Sequence, residues 1–174
     1  MNNQYIFYPN MILDLDKIKA IVERRQRDTI PGMATHHRLV EDEPYLTELK
    51  NQYPFLGPIY NIYRTAAGYV TPIHICPGRS CALNIPITYT EDSHTVFYEI
   101  PEDTNPQYNK TRIYQVINSG AVEVFRYTLT EPVIMNTLLP HGVFSGKKEE
   151  RVIMSWSIGF DYSYDQLRQM LSHK

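Results

Sequence analysis

Between Pro58 and Phe160 the apolar residues come in short runs separated by turn formers, not in helical stripes. The runs are IYNIYR (59–64), YVTPIHI (69–75), CALNIPIT (81–88), TVFYEI (95–100), RIYQVIN (112–118), AVEVFRYTL (121–129), PVIMNTLL (132–139) and RVIMSWSIGF (151–160). They are rich in β-branched and aromatic residues and bounded by Gly, Pro, Asn, Asp or Ser, which is the pattern of strands. Eight strands so spaced predict an antiparallel sandwich or barrel. The flanks read differently. DLDKIKAIVERRQR (14–27) places Leu15, Ile18, Ile21 and Val22 on one helical face, with acidic residues at its start and basic ones at its end. Pro31-Gly32 stops it. A second short helix is expected over 43–53, ended by Pro54, and a closing helix carries Tyr164, Leu167 and Leu171 on one face.

One domain accounts for the chain: a helical support region (1–57), a β core (58–160) and a C-terminal helix (161–174). A chain of 174 residues can bury a core of that size. Charge narrows the function classes. The 17 basic and 19 acidic residues leave −2, so no basic excess points to nucleic acid. No apolar run reaches the ~18 residues of a membrane span. The start, MNNQYIFYPNMILDLDK, lacks the basic-then-apolar form of a secretory leader. A cytoplasmic protein is expected, with Cys76 and Cys81 as thiols.

Of six histidines, His36 and His37 fall in a polar loop, His94 in the turn EDSHT and His173 in the tail. His74 and His141 differ: one ends a strand run and the other follows one, after Pro140. Arg151 opens the last long strand. A double-stranded β-helix can bring two such histidines to one barrel mouth, where imidazoles suit iron, zinc or nickel. An arginine on the next strand can hold a carboxylate there with its planar fork. Spacing alone leaves a second reading open: two separately satisfied core histidines and a surface arginine.

The residues His74-x-Cys76, His141 and Arg151 resemble the His-x-Asp … His … Arg pattern of 2-oxoglutarate/iron(II)-dependent oxygenases. RSCALNIPI with TVFYEI, and VIMNTLLPHGVFSGKKEERVIMSWSI, are similar to the barrel strands of small hydroxylase-like members, over about Ile59 to Phe160. The resemblance implies a jelly-roll, cupin-like barrel and C–H hydroxylation coupled to 2-oxoglutarate decarboxylation. It implies His74 and His141 as Fe(II) ligands and Arg151 as the 2-oxoglutarate anchor. Asn84 and Arg79 are candidate co-substrate contacts, with a local backbone bond and a solvated turn as their alternatives. Tyr60, Tyr63 and Tyr98 are candidate pocket residues. The substrate would be a small molecule or peptide, admitted past loops at Glu91–Ser93, Pro101–Lys110 and Ser145–Glu150.

Cys76 departs from the pattern, because the family has a carboxylate there. Four readings are open: iron held by two histidines and water, as in the aspartyl/asparaginyl β-hydroxylases; Cys76 as a ligand; an open position that takes halide; or a binding protein without chemistry. A cupin-like protein with another metal, such as zinc, is the further alternative. Cys76 and Cys81 flank Pro-Gly-Arg-Ser, so a disulfide across that turn is conceivable, though a reducing compartment disfavours it.

Overall fold

The computed structural model describes residues 3–25, 34–38, 43–88, 91–101, 107–108, 114–115 and 120–172, with only the backbone described at 34–38, 107–108 and 114–115. Two antiparallel sheets dominate. The first has strand order β1 (Ile6–Phe7), β10 (Val133–Asn136), β5 (Cys81–Pro86), β12 (Arg151–Ile158), β3 (Leu56–Thr65) and β2 (Ala34–Arg38). The second runs β7 (Gln107–Tyr108), β8 (Tyr114–Gln115), β4 (His74–Ile75), β11 (His141–Phe144), β6 (His94–Glu99) and β9 (Val122–Tyr127). From β3 to β6 each successive strand changes sheet, and so does each from β9 to β12. A residue on β12 and one on β4 are therefore drawn to opposite walls of the same interior.

The first sheet is buried on both faces, and alternation assigns each residue its side. On β12, Val152, Met154, Trp156 and Ile158 point outward into the larger core, with Leu83 and Ile85 of β5 and Tyr60 and Ile62 of β3. Three helices cover this face. α1 (Leu15–Arg25) contributes Ile18, Ile21 and Val22, α2 (Pro44–Gln52) contributes Leu46 and Leu49, and α3 (Tyr164–Leu171) contributes Tyr164 and Leu167. α3 starts with a capping box in which Ser163 and Gln166 each accept from the other's backbone N–H. The other face of the sheet looks toward the second sheet. There Ile153, Val133 and Met135 meet Phe97 and Tyr127 in a smaller core.

Several expectations need correction. The first 57 residues are not purely helical: β1 and β2 lie at the two edges of the first sheet. His36 and His37 belong to β2, opposite Asn61 and Tyr60, and not to a loop. His94 opens β6. The run 132–139 ends as a strand at Asn136, and His141 begins a separate strand, β11, which the sequence did not announce. Of 69–75, only a bridge at Val70 and the two residues of β4 are strand. Leu15 stays 43% exposed at the first position of α1. The helical tail spans Tyr164–Leu171, not all of 161–174. Most of 112–118, and His173, lie outside the described residues.

Candidate metal centre

β4 and β11 pair at a single register position, where His74 stands directly opposite His141. Directly opposed residues of an antiparallel pair share a face, so both side chains leave the ladder together. Their rings lie 4.4 Å apart, centroid to centroid. Each Nδ1 sits 2.8 Å from a backbone carbonyl two residues back, Pro72 O for His74 and Leu139 O for His141. A carbonyl can only accept, so each Nδ1 carries a proton and each Nε2 is left for the site: protonated, it donates to the Cys76 sulfur, and deprotonated, it offers a lone pair to a metal. This is the orientation that metal-binding imidazoles need.

Cys76 lies two residues beyond His74 in the chain. Its backbone N–H donates to Thr137 O at 2.8 Å. The ligand atoms of His74, Cys76 and His141 all lie within 4.8 Å of one another. Burial pushes the Cys76 thiol up, but hydrogen bonds from His141 and His74 and the nearby Arg79 guanidinium more than offset this and hold it down to about 4. Burial lowers His141 and the neighbouring His74 lowers it further. Burial also opposes the charged form of His74, yet its bond to Cys76 leaves it raised. Two imidazoles and a thiolate within reach of one point are donors suited to a divalent transition metal.

The three donors open onto a cavity of about 110 Å³ between the sheets. Arg151 reaches this cavity from the opposite wall. It is 95% buried, since its relative exposure is 5%. Among the described residues, nothing accepts a hydrogen bond from its guanidinium and no carboxylate pairs with it. Burial pushes its pKa down, with Tyr127 the opposing influence. An unpaired buried charge costs several kcal/mol, on the order of 3–5. The cation is therefore placed for an incoming anion.

Asn84 also lines the cavity, from β5. Its Oδ1 is buried without a partner, and its Nδ2 reaches Met135 Sδ at 3.7 Å and the Tyr127 hydroxyl. A satisfied backbone bond, the alternative for this residue, is not what the structure has. Arg79 is buried and not a solvated turn residue: its Nη1 donates to Ser155 Oγ (3.2 Å) and Ser157 Oγ (3.4 Å), and its Nη2 faces Cys76 Sγ at 3.9 Å. Cys81 is far from this chemistry in kind. It points into the outer core, where burial pushes it up to about 11, and both cysteines are free. No disulfide closes the turn.

Of the three tyrosines, only Tyr63 lines the cavity; Tyr60 faces the helices, and Tyr98 is outside the lining. Two of the loops expected at the mouth, Glu91–Ser93 and Ser145–Glu150, do not line it either. They are tied to each other, with Gly146 N donating to Ser93 Oγ (2.8 Å) and Lys147 N to Asp92 Oδ2 (3.1 Å). Most of Pro101–Lys110 lies outside the described residues. Sequence reading missed Ser155, Thr95 and Met135 as lining residues. Ser155 was within reach, because counting alternate residues from Arg151 gives Ile153 and Ser155 on the same face.

No family model matches the chain, and no curated protein matches it in sequence. Solved structures do match in fold. A prolyl-4-hydroxylase from Pseudomonas putida superposes with TM-score 0.50 at 12% identity, covering 88% of this chain and 91% of that one. HygX from Streptomyces hygroscopicus, solved with nickel and 2-oxoglutarate bound, gives TM-score 0.54 at 12% identity, covering 91% of this chain and 83% of that one. AviO1 from Streptomyces viridochromogenes Tue57 gives 0.51 at 14%, covering 88% and 89%. At these identities the likeness shows a shared fold alone: mainly β, with two antiparallel sheets.

Proposed function

We propose that this chain is a metal-dependent oxygenase of the 2-oxoglutarate type, with His74, His141 and Cys76 holding iron(II) and Arg151 binding the far carboxylate of the co-substrate. One observation carries the reading. Two imidazoles whose Nδ1 atoms are held by backbone carbonyls, leaving Nε2 for a ligand, and a cysteine sulfur converge at one side of a cavity. A buried, unpaired Arg151 guanidinium enters the same cavity from the other side. A metal chelator with a second, distant anionic end matches both features, and HygX with nickel and 2-oxoglutarate bound supplies a precedent on a similar fold. With iron and 2-oxoglutarate in place, the chemistry available is hydroxylation of a C–H bond coupled to decarboxylation of the keto acid.

The protein's own groups do the positioning. The carbonyls of Pro72 and Leu139 fix the two rings. Cys76 supplies the single negative charge that a carboxylate would otherwise bring. Arg151 orients the co-substrate by its distal end, where a bidentate bond fixes both direction and distance. The two sheets enclose this as a jelly-roll barrel of the double-stranded β-helix type, and the substrate is a small molecule or a peptide.

One feature favours a second reading, in which the site holds zinc in a cupin-like binding protein: thiolate and imidazole are preferred zinc donors. Succinate separates the two. Reconstituted with Fe(II), ascorbate and oxygen, the protein is expected to convert 2-oxoglutarate to succinate, slowly even without its substrate. Arg151→Gln is expected to lower that rate at least tenfold while retaining metal. Stoichiometric zinc retention with no succinate from the iron form would support the second reading and overturn the first.

A further inference from the structure

The cavity holds more positive charge than a metal and one co-substrate can satisfy. Its lining includes two buried guanidiniums, Arg151 and Arg79, and among the described residues it includes no aspartate or glutamate. A divalent metal, two guanidiniums and one thiolate leave three positive charges. 2-Oxoglutarate is a dianion and removes two. One remains, in a space between the two sheets.

Position argues that the remaining charge is a separate subsite. Arg79 is anchored at Ser155 and Ser157, whereas Arg151 opens the same strand. Arg151 and Ser155 are four residues apart, so their backbones stand about 13 Å apart along β12 at ~3.3 Å per residue. The present partners of Arg79 are also poor ones for a buried cation. They are the hydroxyls of Ser155 and Ser157 at 3.2 and 3.4 Å, the Tyr63 hydroxyl and the Cys76 sulfur at 3.9 Å, while a guanidinium–carboxylate bond closes to about 2.7–2.9 Å. Arg79 also lies on the metal side of the cavity, with its Nη2 3.9 Å from Cys76 Sγ.

Resting on the oxygenase reading above, we infer that the primary substrate is an anion, a carboxylate or phosphate-bearing small molecule, and that Arg79 binds its charged group next to the metal while Arg151 holds the co-substrate. Arg79 is thus a specificity-determining residue and not a second co-substrate anchor.

The test uses the full chain loaded with nickel, which gives no turnover, and inorganic sulfate as the probe. 2-Oxoglutarate is titrated first by calorimetry, and sulfate is then titrated into the saturated complex in low-salt buffer. The first titration examines the oxygenase reading alone; the second examines this inference. The expected result is that sulfate binds the saturated complex without displacing 2-oxoglutarate. Arg79→Gln should weaken sulfate at least tenfold and 2-oxoglutarate less than threefold. Arg151→Gln should do the reverse. Arg79→Lys, which keeps the charge, should restore part of the sulfate binding and guards against a misfolded Gln variant. If 2-oxoglutarate binds but sulfate does not, or if sulfate only competes with it, the second anion subsite is refuted. Equal loss of both ligands in Arg79→Gln with metal content intact would also refute it.

Discussion

Cys76 is the residue on which the chemistry turns. Its thiol is held down to about 4, against an ordinary value of 9.0, because the bonds from two histidines outweigh burial. The folded value is the depressed one. The thiolate therefore contributes its full stabilisation only above the ordinary thiol range, and that contribution declines as pH falls toward about 4. In metal-free protein, alkylation of Cys76 by iodoacetamide should persist from neutral pH to about 5 and fall away toward 4. Cys81, pushed up to about 11 in the core, should stay unlabelled until the protein unfolds. Added metal should slow labelling of Cys76 at least tenfold if the sulfur is a ligand. Mass spectrometry of the labelled peptides reads all three outcomes. Substituting Asp at this position keeps the single negative charge, so Cys76→Asp should retain metal binding, as measured by metal content after gel filtration.

The same scale shows what sequence could and could not reveal. His74, His141 and Arg151 were legible because residue type and spacing matched a known pattern, and the structure gathers all three around one cavity. Asn84 was legible as an inward polar group on an apolar strand. The burial of Arg79 was not, since a turn arginine is ordinarily solvated and partners far along the chain, Tyr63, Ser155 and Ser157, help draw it inside.

At the scale of elements, β12 carries both the core and the site through alternation. Trp156 is fully buried on its outer face, and its Nε1 donates to Gly57 O at 2.7 Å. Trp156→Ala should cost roughly 3–5 kcal/mol in urea unfolding. Ser155→Ala on the inner face takes an acceptor from the buried Arg79 guanidinium and should cost about 1–3 kcal/mol. Gly57 is constrained by the same closeness. A Cβ there would stand 2.7 Å from Ser157 O, so even alanine must spread β3 from β12. The long central strands β3, β5 and β12 were readable because their apolar residues are many and both faces are buried. β1, β2, β4 and β11 were not, because a strand of two to five residues is defined by its partner and carries little pattern of its own. β11 matters most among these, since its pairing with β4 is what brings His141 to His74.

For the molecule as a whole, the near-neutral chain conceals a strongly cationic interior. The net formal charge of −2 says nothing of two guanidiniums buried in one cavity. Ligands that cancel this charge should stabilise the fold by mass action, by about 2.7 kcal/mol at a hundredfold excess over Kd, which in a domain of this size is on the order of 5–10 °C. Differential scanning fluorimetry should show one step upward with metal and a second with 2-oxoglutarate. Arg151→Gln should abolish the second step and keep the first; His141→Ala should abolish both.

The central claim is that one metal ion and 2-oxoglutarate share the cavity between His74, Cys76, His141 and Arg151. The direct measurement is the visible absorption spectrum of the anaerobic protein with Fe(II) as 2-oxoglutarate is added. The account predicts a weak charge-transfer band that saturates at one equivalent of each and is absent in His141→Ala. A folded wild-type protein that binds Fe(II) yet shows no band at saturating 2-oxoglutarate, or that binds no Fe(II) at all, would contradict it.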